Sequence, residues 1–226
     1  MTVKICASVT AGTLREAKRM IKKAEKDRAD LVEIRMDYAQ ENYSPDEVRK
    51  LSDLPMIATN RALREGGLFE GPEEARISQL FSAANSDFDF IDIELSAEGS
   101  EEIVKKIMDA GAETIISYHL FDSSINLHML NSIFRRELKS NADVCKIVMS
   151  AKEFEDNLTC LRFVERTSKK ANVVCLCMGE LGMTSRLLSP LFGGYLTYAA
   201  VERGREAAQG QLTVAEMRRF YDVLGV

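Results

Sequence analysis

Two short stretches of the 226-residue chain place charged side chains at every second position among bulky apolar ones. In L-V-E-I-R-M-D, Glu33, Arg35 and Asp37 alternate with Val32, Ile34 and Met36; in F-I-D-I-E-L, Asp92 and Glu94 alternate with Ile91, Ile93 and Leu95. Arg61 ends M-I-A-T-N-R, His119 ends I-I-S-Y-H, and Lys146 lies inside D-V-C-K-I-V-M. A lysine flanked by Val144, Cys145, Ile147 and Val148 is expected in a desolvated setting that disfavours its ammonium form, and a nearby Arg35 or Arg61 would act in the same direction. A neutral amine adds to a carbonyl, and the imine that results withdraws electrons from the adjacent carbon. His119 is the candidate general base to work beside it.

Such a set needs a scaffold that points it at one place. Eight stretches read as strands: Val3–Ser8, Leu31–Met36, Met56–Thr59, Phe88–Leu95, Thr114–Tyr118, Val144–Met149, Val173–Cys177 and the weaker Tyr195–Ala200. Between them run polar segments with helical spacing, such as Leu14, Ala17, Ile21 and Ala24. S/T-x-x-E pairs at Thr13/Glu16, Ser44/Glu47, Ser150/Glu153 and Thr213/Glu216 predict helix starts, and Pro45 and Pro72 are expected at first helical positions. Strand and helix alternate about every 25–30 residues, which implies a parallel sheet and a single (β/α)8 TIM barrel over residues 1–226. A doubly wound open sheet is the alternative, but the first turn, S-V-T-A-G-T, lacks G-x-G-x-x-G and no Walker P-loop occurs.

In a barrel, side chains alternate between axis and helices, so each strand can aim its polar set inward. Glu33, Arg35, Arg61, Asp92, Glu94 and Lys146 are three acids and three bases, a set able to neutralise itself when buried. The strand of His119 precedes that of Lys146, which makes the two neighbours at the end of the barrel where catalysis is housed. Lys4 is the rival strand lysine, but it stands at the opposite end.

Composition narrows the functional classes. A net charge of -5 and pI near 5.3 provide no broad basic field for nucleic acid, and no apolar run reaches the ~18 residues that a membrane span requires. The N-terminal M-T-V-K-I-C-A-S-V-T-A-G reads as the first strand. Five cysteines, an odd number scattered among apolar neighbours, predict a reducing cytoplasm. Cys175 and Cys177 share one strand face and read as core, and only two histidines are present, His128 being a packing or surface residue, so no metal site is expected.

These residues, in order along the chain, resemble type I 3-dehydroquinate dehydratase. They are Glu33, Arg35 and Asp37, then Thr59 and Arg61 followed by Glu65 and Gly67, Ser117 and His119, Lys146, Met178 with Ser185 and Arg186, and Gly210 with Gln211. The resemblance implies a (β/α)8 barrel that removes water from 3-dehydroquinate in the shikimate pathway, without metal or organic cofactor because the imine is the electron sink. It implies that Lys146 forms a Schiff base with the C3 ketone. His119 would make and break the imine, abstract a C2 proton and protonate the departing C1 hydroxyl, with Glu65 orienting it. Arg186 would hold the substrate carboxylate, and Ser8, Glu33, Arg35, Arg61 and Gln211 the hydroxyls, with Met178 and Tyr198 as an apolar wall. Family precedent also implies a homodimer.

The closing loop departs from the family's S-A-P-G-Q: it reads R-E-A-A-Q-G-Q from Arg205, with Ala207 where the serine would stand. Lacking the proline, it is expected to favour an open state without ligand. Two other readings remain. A class I aldolase would share barrel and lysine but needs a phosphate site, and Gly193-Gly194 precede the last strand instead of following it. A silent carboxylate-binding barrel would need neither Lys146 nor His119.

Overall fold

The computed structural model describes residues 3–121 and 126–226. Strands β1 (Ile5–Val9), β2 (Leu31–Arg35), β3 (Met56–Thr59), β4 (Phe90–Glu94), β5 (Glu113–Leu120), β6 (Val144–Ser150), β7 (Asn172–Met178) and β8 (Thr197–Ala200) match the eight apolar stretches with ends moved by no more than two residues. The helices between and after them are α1 (Leu14–Lys26), α2 (Pro45–Arg49), α3 (Glu73–Ala84), α4 (Ser100–Asp109), α5 (Leu127–Lys139), α6 (Glu155–Thr167), α7 (Met183–Leu188) and α8 (Val214–Leu224). Neighbouring strands pair in parallel from β7 through β1, and β1 pairs in turn with β8. The remaining seam is crossed by the Tyr195 N–H, which donates to Val173 O at 2.8 Å. The barrel is therefore nearly closed.

Period-two alternation divides the strand residues into two sets. Ile5, Val9, Val32, Ile34, Ile91, Ile93, Cys145, Ile147, Cys175 and Cys177 face the helices in one large apolar cluster. Cys6, Leu31, Ile57, Phe90, Ile115, Val144, Val174 and Leu196 pack inside as a separate plug. One step up the axis the inward positions become Ser8, Glu33, Thr59, Asp92, Ser117 and Lys146, all buried. Register places Ser117 beside Lys146 and His119 beside Val148, so His119 stands one layer above the lysine on the adjacent strand. All five cysteines are free and buried.

The helix starts differ in part from expectation. Ser44 and Thr213 form complete reciprocal caps with Glu47 and Glu216. Thr13 accepts from the Glu16 N–H, but the Glu16 carboxylate turns to the Gly12 N–H at 2.8 Å. Ser150 starts no helix: β6 runs through it, α6 begins at Glu155, and Asp156 accepts the N–H groups of Lys152 and Glu153. Pro72 stands one position earlier than expected, as the N-cap of α3.

The segment between β8 and α8 is seated over the strand ends, in contrast to the open loop expected from its composition. Thr10 Oγ1 donates to Arg205 O at 3.1 Å, the Arg205 guanidinium pairs with Glu16, and the Gly179 N–H donates to Gln209 O at 3.1 Å. Gly210 has φ +79°, and a Cβ there would lie 2.3 Å from Gly179 O. Only glycine permits this approach. Gly210→Ala adds about 1–2 kcal/mol of backbone strain, or about 5- to 30-fold in a local equilibrium, besides the clash. Hydrogen exchange of the Gly179 amide is expected to accelerate by at least that factor; an unchanged rate would show that the seat does not depend on this contact.

Candidate active site

A pocket of about 540 Å³, open to solvent, lies at the C-terminal end of the barrel. Lys146, His119, Glu65, Glu33, Arg35, Arg61, Arg186 and Gln211 all line it, with Met178 and Tyr198 among its less polar walls. Ser8 is the exception among the expected binding residues. It is fully buried behind the lining, where its Oγ donates to Glu33 Oε2 at 2.8 Å and lies 3.4 Å from Gln211 Nε2.

Lys146 comes from the middle of β6 and is 5% exposed. Its Nζ lies 2.7 Å from Asp92 Oδ2 and 3.7 Å from Glu33 Oε1, and 4.2 Å from the centroid of the Tyr198 ring. Sequence reasoning weighed burial and the arginines; the structure adds two carboxylates. Arg61 bridges Asp92 at 2.6 Å and Glu94 at 2.8 Å, while Ser117 Oγ donates to Asp92 and Thr59 Oγ1 to Glu33. Burial alone would raise the Asp92 carboxyl, but Arg61 and Lys146 outweigh it and hold it well below the usual carboxylate range. Arg35 is taken by Asp37, which lies in the turn after β2 and accepts from both Nε and Nη2, at 2.9 and 2.7 Å.

His119 Nδ1 lies 3.2 Å from Glu65 Oε2, and Ser96 Oγ donates to the other oxygen at 2.7 Å. Burial raises Glu65, and the bonds from His119 and Ser96 reverse this to hold it below its ordinary value. An ionised Glu65 assigns the ring proton to Nδ1 and leaves the Nε2 lone pair for chemistry. Desolvation, then the Arg61 charge, lowers His119 to about 4 against the pull of Glu65, so the ring is a neutral base near pH 7. The turn Leu63–Glu65 is folded back by Gly67, where a Cβ would lie 2.1 Å from Arg61 O.

Arg186, on α7, is 2% exposed, and among the described residues its guanidinium has only Gln209 O at 3.5 Å. Among the described residues no carboxylate lies within 4 Å of it, and burial lowers it to about 10. Gln211 Oε1 accepts the Ala207 N–H at 2.8 Å, and Ala207 and Ala208 also line the pocket. Gly193 and Gly194 close the turn before β8 and do not line it. Sequence reasoning missed Phe121, stacked on His119, and Arg76, a fully buried cation of α3. Arg76 was findable: with Leu80, Ala83 and Ala84 it occupies the apolar stripe of its helix.

Residues 5–226 match the family model described as Type I 3-dehydroquinase. The 3-dehydroquinate dehydratase of Methanosarcina barkeri is 33% identical over 229 residues, covering 96% of this chain and 95% of that protein. That of Methanothermobacter thermautotrophicus is 35% identical, covering 97% and 96%. The solved 3-dehydroquinate dehydratase of Geobacillus kaustophilus superposes with a TM-score of 0.89 at 26% identity, over 100% of this chain and 92% of that one.

A buried neutral histidine binds its proton less readily folded than unfolded, so stability falls as pH drops from about 6.5 toward about 4. Above about pH 5, before most carboxylates titrate, His119 is expected to contribute up to about 1.4 kcal/mol per pH unit to that slope. Denaturant titrations of the wild type and His119→Gln should differ in slope over this window. NMR of the ring should give a His119 midpoint near 4, and a lower one in Glu65→Gln, since the carboxylate is what raises it. A midpoint near 6.5 would overturn the assignment.

Proposed function

The chain belongs to the type I 3-dehydroquinase family, whose members are hydro-lyases, and from that premise we propose that it dehydrates 3-dehydroquinate to 3-dehydroshikimate through an imine on Lys146. The observation that carries this reading is the meeting of Lys146, a neutral His119 and the carboxylate-free Arg186 in one pocket. The substrate's carboxylate goes to Arg186 and supplies the missing counter-charge. The C3 ketone then lies toward Lys146, and Glu33, Arg35, Arg61 and Gln211 meet the ring hydroxyls.

The chemistry balances without an external electron carrier. The Lys146 amine adds to C3, and the carbinolamine loses water to form the iminium. His119 Nε2 takes a C2 proton, and the C–H electrons enter the C2–C3 bond of an enamine. They return to form the C1–C2 double bond as the C1 hydroxyl leaves, protonated by the same histidine. Water then hydrolyses the imine, releasing 3-dehydroshikimate and the amine. Glu65 keeps His119 in the tautomer this cycle needs. The barrel acts as a single catalytic domain; five free, buried cysteines support a cytoplasmic setting, and the family resemblance supports a homodimer.

Borohydride added during turnover is expected to fix a reduced adduct on the peptide containing Lys146, and Lys146→Ala to abolish both adduct and dehydration. His119→Ala should still trap an adduct while kcat falls by about 10²–10⁴ or more, because acid–base groups supply that much per step. Arg186→Ala should chiefly raise KM. An active Lys146→Ala protein would defeat the imine mechanism.

A further inference from the structure

The inward-facing ladder at the strand ends carries one more carboxylate than cation, and a helix residue meets the surplus. Arg35 is matched by Asp37, whose side chain is fully buried. Among the inward residues at the strand ends this leaves Glu33, Asp92 and Glu94 against Arg61 and Lys146; Arg186, the other buried cation at the pocket, forms no ion pair with any of the three among the described residues. Arg76 reaches through the barrel wall from α3, itself 0% exposed. Its Nη1 lies 2.6 Å from Glu94 Oε2 and donates to Asn60 O at 2.8 Å. Its other nitrogens fork onto Glu73, a half-exposed carboxylate that Arg64 also approaches. The result is a chain of alternating charge: Arg76, Glu94 at 2.6 Å, Arg61 at 2.8 Å, Asp92 at 2.6 Å and Lys146 at 2.7 Å. Arg76 does not line the pocket.

We propose that Arg76 is a positioning residue for Lys146: by neutralising Glu94 it leaves Arg61 shared with Asp92, and so limits how strongly Asp92 retains the lysine as an ammonium ion. Without Arg76, Arg61 is the one cation within 4 Å of Glu94 among the described residues, and Glu94 draws it away. Asp92 is then left with Lys146, and the interior gains a net negative charge. Both changes favour the ammonium and withhold the nucleophile. Among the described residues, the other groups near Lys146 are Glu33 from β2, Tyr198 from β8, His119 from β5, Cys6 from β1, Arg61 beyond β3 and, behind β6, Glu137 of α5, whose carboxyl burial pushes well above the usual range. None of these changes its covalent state in the variants below.

The proposal rests on the imine reading for its catalytic consequence, and the test separates the two. Competitive labelling of Lys146 with acetic anhydride against pH, read by mass spectrometry, reports the free amine without substrate; borohydride trapping with 3-dehydroquinate reports the imine. In Arg76→Met, labelling of Lys146 and kcat/KM, both measured at a fixed pH below the rise of activity, are expected to fall by about tenfold. Arg76→Lys, which keeps the charge, should return both toward the wild type, as should Arg76→Met combined with Glu94→Gln. Glu94→Gln alone should move the midpoint down, which keeps the test available if Arg76→Met does not fold. Variants that lose activity equally at every pH, with an unmoved labelling midpoint, would show Arg76 to be merely structural and overturn the proposal. A shifted midpoint with no trapped adduct in any variant would uphold the electrostatic role and defeat the imine reading instead.

Discussion

A charged side chain inside a barrel must meet an opposite charge or hydrogen-bonding partners, because stranding it costs several kcal/mol. That constraint organises the upper half of this protein. The plug of Cys6, Leu31, Phe90, Ile115 and Val174 seals one end of the barrel against water, so the groups above it must satisfy one another. Arg61 is central, with nitrogens on Asp92, Glu94 and Ser117. The Ser8 hydroxyl takes the Glu33 oxygen that Lys146 leaves open, Thr59 shares the other with Lys146, and Ser117 shares Asp92 Oδ1 with Arg61. Removing any one member exposes its neighbour to the full desolvation penalty, so the set behaves as a unit.

Within so closely matched a network, the incompletely matched groups are the ones poised to react. Among the described residues Arg186 meets a single distant carbonyl, and burial has brought it down to about 10. His119 is uncharged where Arg61 and burial oppose protonation, and Glu65 only partly offsets them. A carboxylate entering near Arg186 relieves one deficit, and a proton delivered to His119 is readily surrendered. Lys146 stands at the boundary, paired with Asp92 yet aimed into the same pocket, so its availability depends on how the rest of the ladder divides its charge.

What was legible in the sequence follows from the range of each interaction. Strand runs are local, and alternation of apolar and charged residues in β2 and β4 tells which side chains share a face. Order along the chain then places His119 next to Lys146, since successive strands of a barrel are neighbours. Partnership was not legible. Asp37 stood in the expected strand pattern but lies in a turn that folds its carboxylate back onto Arg35. The helix stripe marks Arg76 as a buried cation but not its partner, Glu94, which comes from another element. Ser8 ends a strand beside the site, yet the long side chains of Glu33 and Gln211 fill the space between it and the pocket. The seat of the last loop rests on Thr10 and Glu16, which lie at the other end of the chain.

The strength of the two kinds of contact decides which part of the site can move. Residues of the interior ladder are almost wholly buried, where each pair is held by strong, weakly screened attraction and by the cost of separating it. The pair that helps seat the last loop, Arg205 and Glu16, has side chains 41% and 21% exposed. Pairs of that kind contribute about 0.2–1 kcal/mol, and the Thr10 and Gly179 hydrogen bonds to this loop add about 1 kcal/mol each. Displacing the loop is the less costly of the two movements, whereas moving Lys146 relative to Asp92 would disturb several charges at once. The segment carrying Ala207, Ala208 and Gln211 is therefore the less firmly held wall of the pocket, while register fixes Lys146 and His119 on adjacent strands.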